Sequence, residues 1–116
     1  MKQTIIEVKS FEYAIRIVNL YRYLCEEKKE YILSKQLLNS GTSIGANVSE
    51  AQRGQSKNDF YAKYNIALKE AYETHYWIRL LHATNYLDEK EFSSLESDIK
   101  EIMAILVAIC NTKNKQ

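Results

Sequence analysis

Proline is absent from this chain of 116 residues and glycine occurs only three times, so few positions can break or kink a helix. Proline removes a helical hydrogen bond and glycine clusters mark turns, and their scarcity therefore favours long, uninterrupted helices. Hydrophobic residues make up 46% of the sequence, which suffices for a core at this length. The composition predicts an all-α protein with a single domain over residues 1–116.

Strong charge and long apolar runs are also missing. The formal net charge is +1, with nine basic and six acidic residues up to Asn58, and seven and nine after it. This mild asymmetry is typical of solvated helix faces and does not by itself indicate nucleic acid. The longest apolar run, residues 102–110, covers nine residues, whereas a membrane-spanning helix needs about 20. We therefore expect no membrane association.

Signals for secretion and for cysteine chemistry are absent as well. Glu7 and Lys9 interrupt the apolar residues near the N-terminus, so a secretory signal is not predicted. Cys25 and Cys110 show neither a metal-binding nor a redox spacing. Together these features predict a reduced, cytoplasmic protein.

No arrangement typical of catalysis is found in the sequence. The two histidines, His75 and His82, lie on one predicted helix without the Glu-x-x-His or His-Glu-x-x-His spacing of metal sites. Glu70 and Glu73 are one turn apart, but such pairs are common on solvated helix faces and make a weak acid/base site. We predict no enzymatic activity, no catalytic residue, no cofactor and no metal.

Hydrophobic residues recur at helical spacing in four segments, at about residues 10–27, 31–53, 57–84 and 89–111. Ser10 is a candidate N-cap of the first helix. The predicted core stripe of that helix is Phe11, Ala14, Ile15, Val18 and Leu24 or Cys25, and it is broadened by Tyr13, Ile17, Leu20 and Tyr21. Short connections between helices of this length imply antiparallel neighbours, and hence an up-down-up-down four-helix bundle.

The other three helices carry end signals and core stripes. The third helix has a first stripe that ends at Asn85 and a second stripe through Tyr61, Leu68, Tyr72, His75, Tyr76 and His82. Gly54 is predicted as a C′ glycine, Ser56 as the next N-cap, Asn85 as a left-handed cap and Asp88 as the N-cap of the fourth helix. The predicted core positions are Leu33, Leu37, Gly41, Ile44, Val48 and Ala51 in the second helix, Phe60, Tyr64, Ala67, Ala71, Thr74, Ile78 and Leu81 in the third, and Phe92, Leu95, Ile99, Ile102, Leu106 and Ile109 in the fourth.

The second helix contains two glycines, Gly41 and Gly45, in the sequence SGTSIGAN. A phosphate-binding loop would need four residues between its glycines and a following lysine, and neither is present. Since the two glycines lie one turn apart on one face, they favour the close approach of another helix. We predict this packing role for both.

Asn47 and Glu50 follow the glycines on the same helix. Asn47 is one turn from Ser43 and from Ala51, so we expect its amide to reach the third helix and fix the register of packing. A ligand-binding or RNA-binding role for Asn47 and Glu50 is the alternative.

The segment from Gln36 to Leu81 resembles a bacterial family of four-helix bundles encoded in intervening sequences of 23S rRNA genes, whose members are often labelled S23 ribosomal proteins. The most specific part of the resemblance is the motif SxTSIxANxxEA, residues 40–51. The resemblance implies a pentameric ring without catalytic residues. The resemblance extends to distant relatives that act as accessory proteins of diversity-generating retroelements and bind nucleic acid through a basic surface.

Two functions are compatible with these observations. The first is an RNA- or DNA-binding module, in which oligomerisation gathers Arg53, Lys57 and Lys63 into a basic rim. The second is a protein-interaction scaffold whose contacts include Tyr72, Tyr76 and Trp77. In both cases we expect a homo-oligomer, because nine tyrosines, Trp77 and the apolar run of residues 102–110 exceed the needs of one bundle core.

Overall fold

The computed structural model describes residues 2–115, which form one bundle of four α-helices. They are α1 (Ile5–Glu26), α2 (Leu33–Ala51), α3 (Lys57–Ala83) and α4 (Glu89–Asn111), and a short 3-10 helix, Thr112–Lys115, continues α4. Each helix packs on the helices before and after it, and α1 also packs on α4. The predicted all-α, up-down-up-down bundle is confirmed. The predicted domain range of 1–116 includes Met1 and Gln116, which lie outside the described residues.

The helix boundaries differ from the predicted ones mainly at the start of α1. This helix begins at Ile5 instead of residue 10, because Thr4 and Glu7 form a capping box. The Glu7 amide donates to Thr4 Oγ1 at 3.3 Å, and the Thr4 amide donates to Glu7 Oε1 at 2.9 Å. Ser10, the predicted N-cap, is buried inside the helix. The second helix is shorter at both ends than the predicted range of 31–53.

The face that α1 turns toward the core is not the predicted one. Phe11 and Ile15 are 68% and 49% exposed, and the stripe predicted from them is wrong. The phenol of Tyr13, which is buried instead, donates to the main-chain carbonyl of Leu95 at 3.0 Å. Burial raises the pKa of this phenol, so the group stays protonated. The buried residues of α1 are Ile6, Ser10, Tyr13, Ile17, Leu20 and Leu24.

The core residues of the other three helices agree well with the predicted ones. Leu33, Phe60, Phe92 and Ile109 are only partly buried against the core. The remaining predicted positions are buried: Leu37, Gly41, Ile44, Val48 and Ala51 in α2, Tyr64, Ala67, Ala71, Thr74, Ile78 and Leu81 in α3, and Leu95, Ile99, Ile102 and Leu106 in α4.

Both glycines of α2 face α1 at close range. A Cβ atom built on Gly41 would lie 2.8 Å from Cγ1 and Cγ2 of Ile17, which is closer than real Cβ contacts. A Cβ atom on Gly45 would lie 3.3 Å from the carbonyl oxygen of Ser10. The whole segment is helical, so it forms no phosphate-binding loop.

The amino end of α2 is capped by a carboxylate that precedes it. Glu30 is 8% exposed, and its side chain accepts hydrogen bonds from the amides of Ile32, Leu33 and Ser34 at 2.8, 2.7 and 3.0 Å. These amides have no partner within the helix. The carboxylate therefore replaces a conventional N-cap residue, since Ile32 at that position has no side-chain acceptor.

The remaining connections follow most of the predicted end signals. Asn85 has a φ of 71°, and the amide of Tyr86 donates to the carbonyl of Leu81 at 2.9 Å, as in a Schellman motif. Ser56 and Asp88 accept hydrogen bonds from the third residues of α3 and α4. Gly54 was expected in a left-handed conformation and does not adopt one.

Replacing Gly41 by leucine is expected to destabilise the protein by about 1–3 kcal/mol, because the added side chain overpacks Ile17. The loss should occur even though leucine favours helix by about 1 kcal/mol over glycine. Thermal and urea unfolding measure it. Asn39→Leu, on the exposed side of the same helix, is the control and should be neutral or stabilising. A neutral Gly41→Leu variant would contradict close packing at this position.

Replacing Glu30 by alanine is expected to cost about 1–2 kcal/mol, because three amides at the start of α2 lose their acceptor. Glu27→Ala, which removes an exposed carboxylate three residues earlier, should change the free energy of unfolding by less than about 0.5 kcal/mol. Equal effects of the two substitutions in urea unfolding would show that Glu30 does not act as the cap.

Candidate interaction surfaces

The basic residues predicted to bind nucleic acid lie near the α2–α3 turn. Arg53 and Lys57 are exposed, at the end of α2 and the start of α3. Lys63 lies further along α3, and its ammonium is 3.1 Å from the Glu50 carboxylate. This acidic partner, together with Asp59 in the first turn of α3, offsets much of the positive charge. The turn therefore places Arg53 and Lys57 close to two carboxylates, and Lys63 is paired with one of them.

Several polar side chains of the SxTSIxANxxEA motif bond to main-chain carbonyls of α2 itself. Asn47 Nδ2 donates to the Ser43 carbonyl at 2.8 Å, and Ser43 Oγ donates to the Asn39 carbonyl at 2.6 Å. The prediction that Asn47 reaches α3 is therefore wrong. Ser and Asn side chains often bond backward to their own helix in this way.

Other residues make the polar contacts between α2 and α3, among them Gln52 at the end of α2, whose amide donates to the Tyr64 hydroxyl. Thr74 Oγ1 donates to Ser40 Oγ at 2.9 Å, and both residues are almost completely buried. Glu50 also reaches α3, through its ion pair with Lys63. Sequence reasoning missed Ser40 because one serine among several on a helix gives no signal for burial.

An apolar stripe runs along the outside of α1. We call Val8, Phe11 and Ile15 the outer α1 stripe; their exposed fractions are 39%, 68% and 49%. The three residues follow each other at helical spacing, so they share one face. Beside the stripe lies a groove between α1 and α2 of about 370 Å³. Its lining includes the small residues Ala14, Thr42, Gly45, Ala46 and Ser49.

A second exposed apolar surface lies on the outside of α3. Tyr72 and Tyr76 lie one turn apart and are 51% and 53% exposed; we call them the outer α3 stripe. Ile66, which is 43% exposed, lies more than one turn before Tyr72 and on another side of the helix. Trp77 is partly buried at the edge of the stripe and contacts Tyr76 edge-on, with ring centroids 5.1 Å apart. The Trp77 indole N–H donates to Glu73 at 3.2 Å. The structure thus exposes both tyrosines that were predicted as contact residues.

The seam between α1 and α4 is polar, and a cavity lies at its end. That cavity has a volume of about 410 Å³ and is lined partly by Tyr23, Tyr86 and Arg16. The guanidinium of Arg16 lies 2.8 Å from Asp98 and 3.6 Å from Glu91. Because this cation is already paired, the cavity offers no free charge to an anionic ligand.

Both histidines contact glutamates of α4. His75 Nε2 lies 2.9 Å from Glu96, and His82 Nε2 lies 3.0 Å from Glu89. The hydrogen bond from His75 holds the pKa of Glu96 below its usual value. The His82 ring also stacks on Phe92, with centroids 4.0 Å apart. These contacts join α3 to α4 and give both histidines a packing role.

Burial, followed by repulsion from Glu73, raises the pKa of Glu70. Among residues 2–113, no three His, Cys, Asp or Glu side chains are placed to hold a metal ion. Every buried polar side-chain atom in this range has a hydrogen-bond partner. No described helix combines the length and apolarity needed to cross a membrane.

Comparisons with known proteins point to one family. The family model described as 23S rRNA-intervening sequence protein matches residues 2–108. A similar solved structure is a protein of unknown function from the S23 ribosomal protein family of Bacteroides thetaiotaomicron. It shares 51% identity with a TM-score of 0.90, over 91% of this chain and 98% of that one. No curated protein matches the chain significantly.

Proposed function

We propose that this chain, which belongs to the family of 23S rRNA-intervening sequence proteins, is a non-enzymatic module that assembles with its own copies. The observation that supports this proposal is the outer α1 stripe, where Phe11 leaves two thirds of its surface in water. Burial of apolar surface contributes about 25 cal/mol per Å². Contiguous exposed apolar residues on a small protein are typical of an interaction surface.

The outer α3 stripe supports the same proposal. A tyrosine pair at an exposed helix face provides large contact area, and tyrosine is enriched where proteins meet. A single bundle leaves both stripes in contact with water, whereas an assembly would bury them. Five copies, and a cytoplasmic setting, are further expectations.

Nucleic-acid binding is a second candidate, favoured by the exposed Arg53 beside the amino end of α3. The partial positive charge of a helix amino end adds to this basic residue and to Lys57. Assembly would repeat the site once per copy and strengthen the local field. The ion pair between Lys63 and Glu50 weakens it, so this function ranks second.

Sedimentation velocity at micromolar concentration tests self-association. Wild type is expected to sediment as an oligomer, and Phe11→Glu as a monomer with unchanged helical circular dichroism, because the charge cannot be buried at an apolar contact. The control is Tyr31→Glu, another exposed aromatic position that lies outside both stripes, and it should leave the oligomer intact. A monomeric wild type would contradict the proposal.

Titration with single-stranded and structured RNA tests the second candidate. The double variant Arg53→Glu, Lys57→Glu should bind more weakly than wild type, and wild-type affinity should fall steeply with salt. Lys35→Glu, Lys90→Glu makes the same charge change at two other exposed lysines and serves as the control. Equal binding by both double variants, or no binding by wild type at low salt, would exclude a basic site at the α2–α3 turn.

A further inference from the structure

We propose that the cavity at the end of the α1–α4 seam, which is lined by Tyr23 and Tyr86 and which we call the tyrosine cavity, binds a small alkylated ammonium ion. Its volume of about 410 Å³ lies in the range of small-molecule sites. The site is separate from the outer α1 and α3 stripes, and binding there does not depend on self-association.

The walls of the tyrosine cavity come from two parts of the fold. One wall is a single face of α1, formed by residues at helical spacing: Arg16, Asn19, Leu20 and Tyr23. The other wall is the α3–α4 turn with the first turn of α4: Tyr86, Leu87, Asp88 and Glu91. The left-handed Asn85 and the hydrogen bond from the Tyr86 amide to Leu81 hold this turn in place. The cavity is therefore formed without a ligand.

The buried part of the lining is apolar and aromatic. Leu20 and Leu87 are 6% and 5% exposed and belong to the core, so they offer apolar surface to the methyl groups of a ligand. Tyr86 is partly buried against the same core, and Tyr23 is exposed. Aromatic rings attract cations over their faces, and they recognise alkylated ammonium ions in this way. The ring pair thus favours an organic cation over a neutral polar molecule.

The charges along the α1–α4 seam also favour a cation. A second cavity of about 230 Å³ shares Arg16 with the first. The two cavities are lined by two basic residues and five carboxylates: Glu12, Asp88, Glu91, Asp98 and Glu101. Both basic side chains are already paired, since Lys9 lies 2.8 Å from Glu101 and Arg16 lies 2.8 Å from Asp98. This excess of negative charge attracts cations to the seam and repels anions.

Glu91 is the carboxylate best placed to meet the charge of the ligand. It is half exposed and lies 3.6 Å from Arg16, whereas Asp98 holds the same guanidinium at 2.8 Å. Glu91 can therefore turn toward a ligand without leaving Arg16 unpaired. Asp88, the other carboxylate of the tyrosine cavity, accepts the Glu91 amide at 2.8 Å and caps α4. The ligand would thus contact Glu91 and leave the cap intact.

A cation of the protein itself already lies near one of the rings. The Lys28 ammonium is 5.9 Å from the centroid of the Tyr23 ring, at the outer limit of a cation–π contact. A bound ammonium ion would use the same ring and would be repelled by Lys28. Removal of the Lys28 charge should therefore strengthen binding, which is the opposite of the effect expected for Tyr23 and Glu91.

Equilibrium dialysis of the full chain at low salt with radiolabelled choline tests this site. Choline carries a trimethylammonium group, and in 3,3-dimethylbutan-1-ol a carbon atom replaces the charged nitrogen. Wild type is expected to bind choline saturably, and the uncharged alcohol should compete about tenfold more weakly than unlabelled choline. Equal competition by the two compounds, or no saturable binding of choline, overturns the proposal.

Three variants locate the binding. Tyr23→Leu should weaken choline binding about tenfold, and Glu91→Gln should weaken it about threefold. Lys28→Gln should strengthen it about threefold, because a like charge is removed. Each variant alters an exposed side chain, and its helical circular dichroism should match that of wild type.

Each variant has a matched control outside the tyrosine cavity. Tyr31→Leu, Asp59→Asn and Lys35→Gln make the corresponding changes at other exposed positions and should leave choline binding unchanged. A control that alters binding as much as its matched variant would show attraction to the whole protein surface, and would overturn the assignment to this cavity.

Discussion

The close contact between α1 and α2 is the constraint on which the rest of the structure depends. Ile17 occupies the space that a side chain at Gly41 would fill, and the backbone at Ser10 lies against Gly45. Since helix α1 is apolar on more than one face, hydrophobicity alone does not choose which face turns inward. The two glycines determine which face turns inward, because the absence of a side chain leaves room for Ile17 and for the backbone of Ser10. The consequence is that Phe11 and its neighbours remain outside.

The polar interior and the helix ends reinforce this arrangement. The Tyr13 phenol reaches the backbone of α4, Thr74 bonds Ser40 across the α2–α3 contact, and Glu30 satisfies the start of α2. Each bond pairs a group that would be costly to bury alone. These bonds fix the register of the core. The exposed apolar residues of α1 and α3, by contrast, make no contribution to the core of a single copy, and the proposed self-association would bury them.

Much of the fold can be predicted from local sequence signals. The part that was not predicted depends on tertiary contacts. Ser56, Asn85 and Asp88 act at short range, so their roles at helix ends are readable from the sequence. Helix α4 has one dominant stripe. Of the two stripes predicted on α3, the one with a/d-like spacing is the one that packs into the core, so most core residues of both helices were predicted. Thr4 and Glu7 also form a readable capping box, but Ser10 offered a competing start. Which face of α1 turns inward depends on the glycines of α2, and a pattern within α1 alone cannot show this.

The candidate surfaces were predictable to a smaller extent. Tyr72 and Tyr76 stood out as tyrosines beyond the needs of the core, and the structure exposes both. The outer α1 stripe was mistaken for core because an apolar face looks the same in sequence whether a neighbouring helix or another molecule covers it. Lys63 was grouped with Arg53 from its charge, although the position of Glu50 on the facing helix pairs it.

The central claim is that the outer stripes of α1 and α3 are buried by self-association. Hydroxyl-radical footprinting of wild type across a concentration series tests it at the level of single side chains. Oxidation of Phe11, Tyr72 and Tyr76 should fall as concentration rises, while Tyr23 and Tyr31, which are exposed elsewhere, should react equally throughout. Unchanged reactivity of Phe11 and both stripe tyrosines at every concentration would contradict the claim.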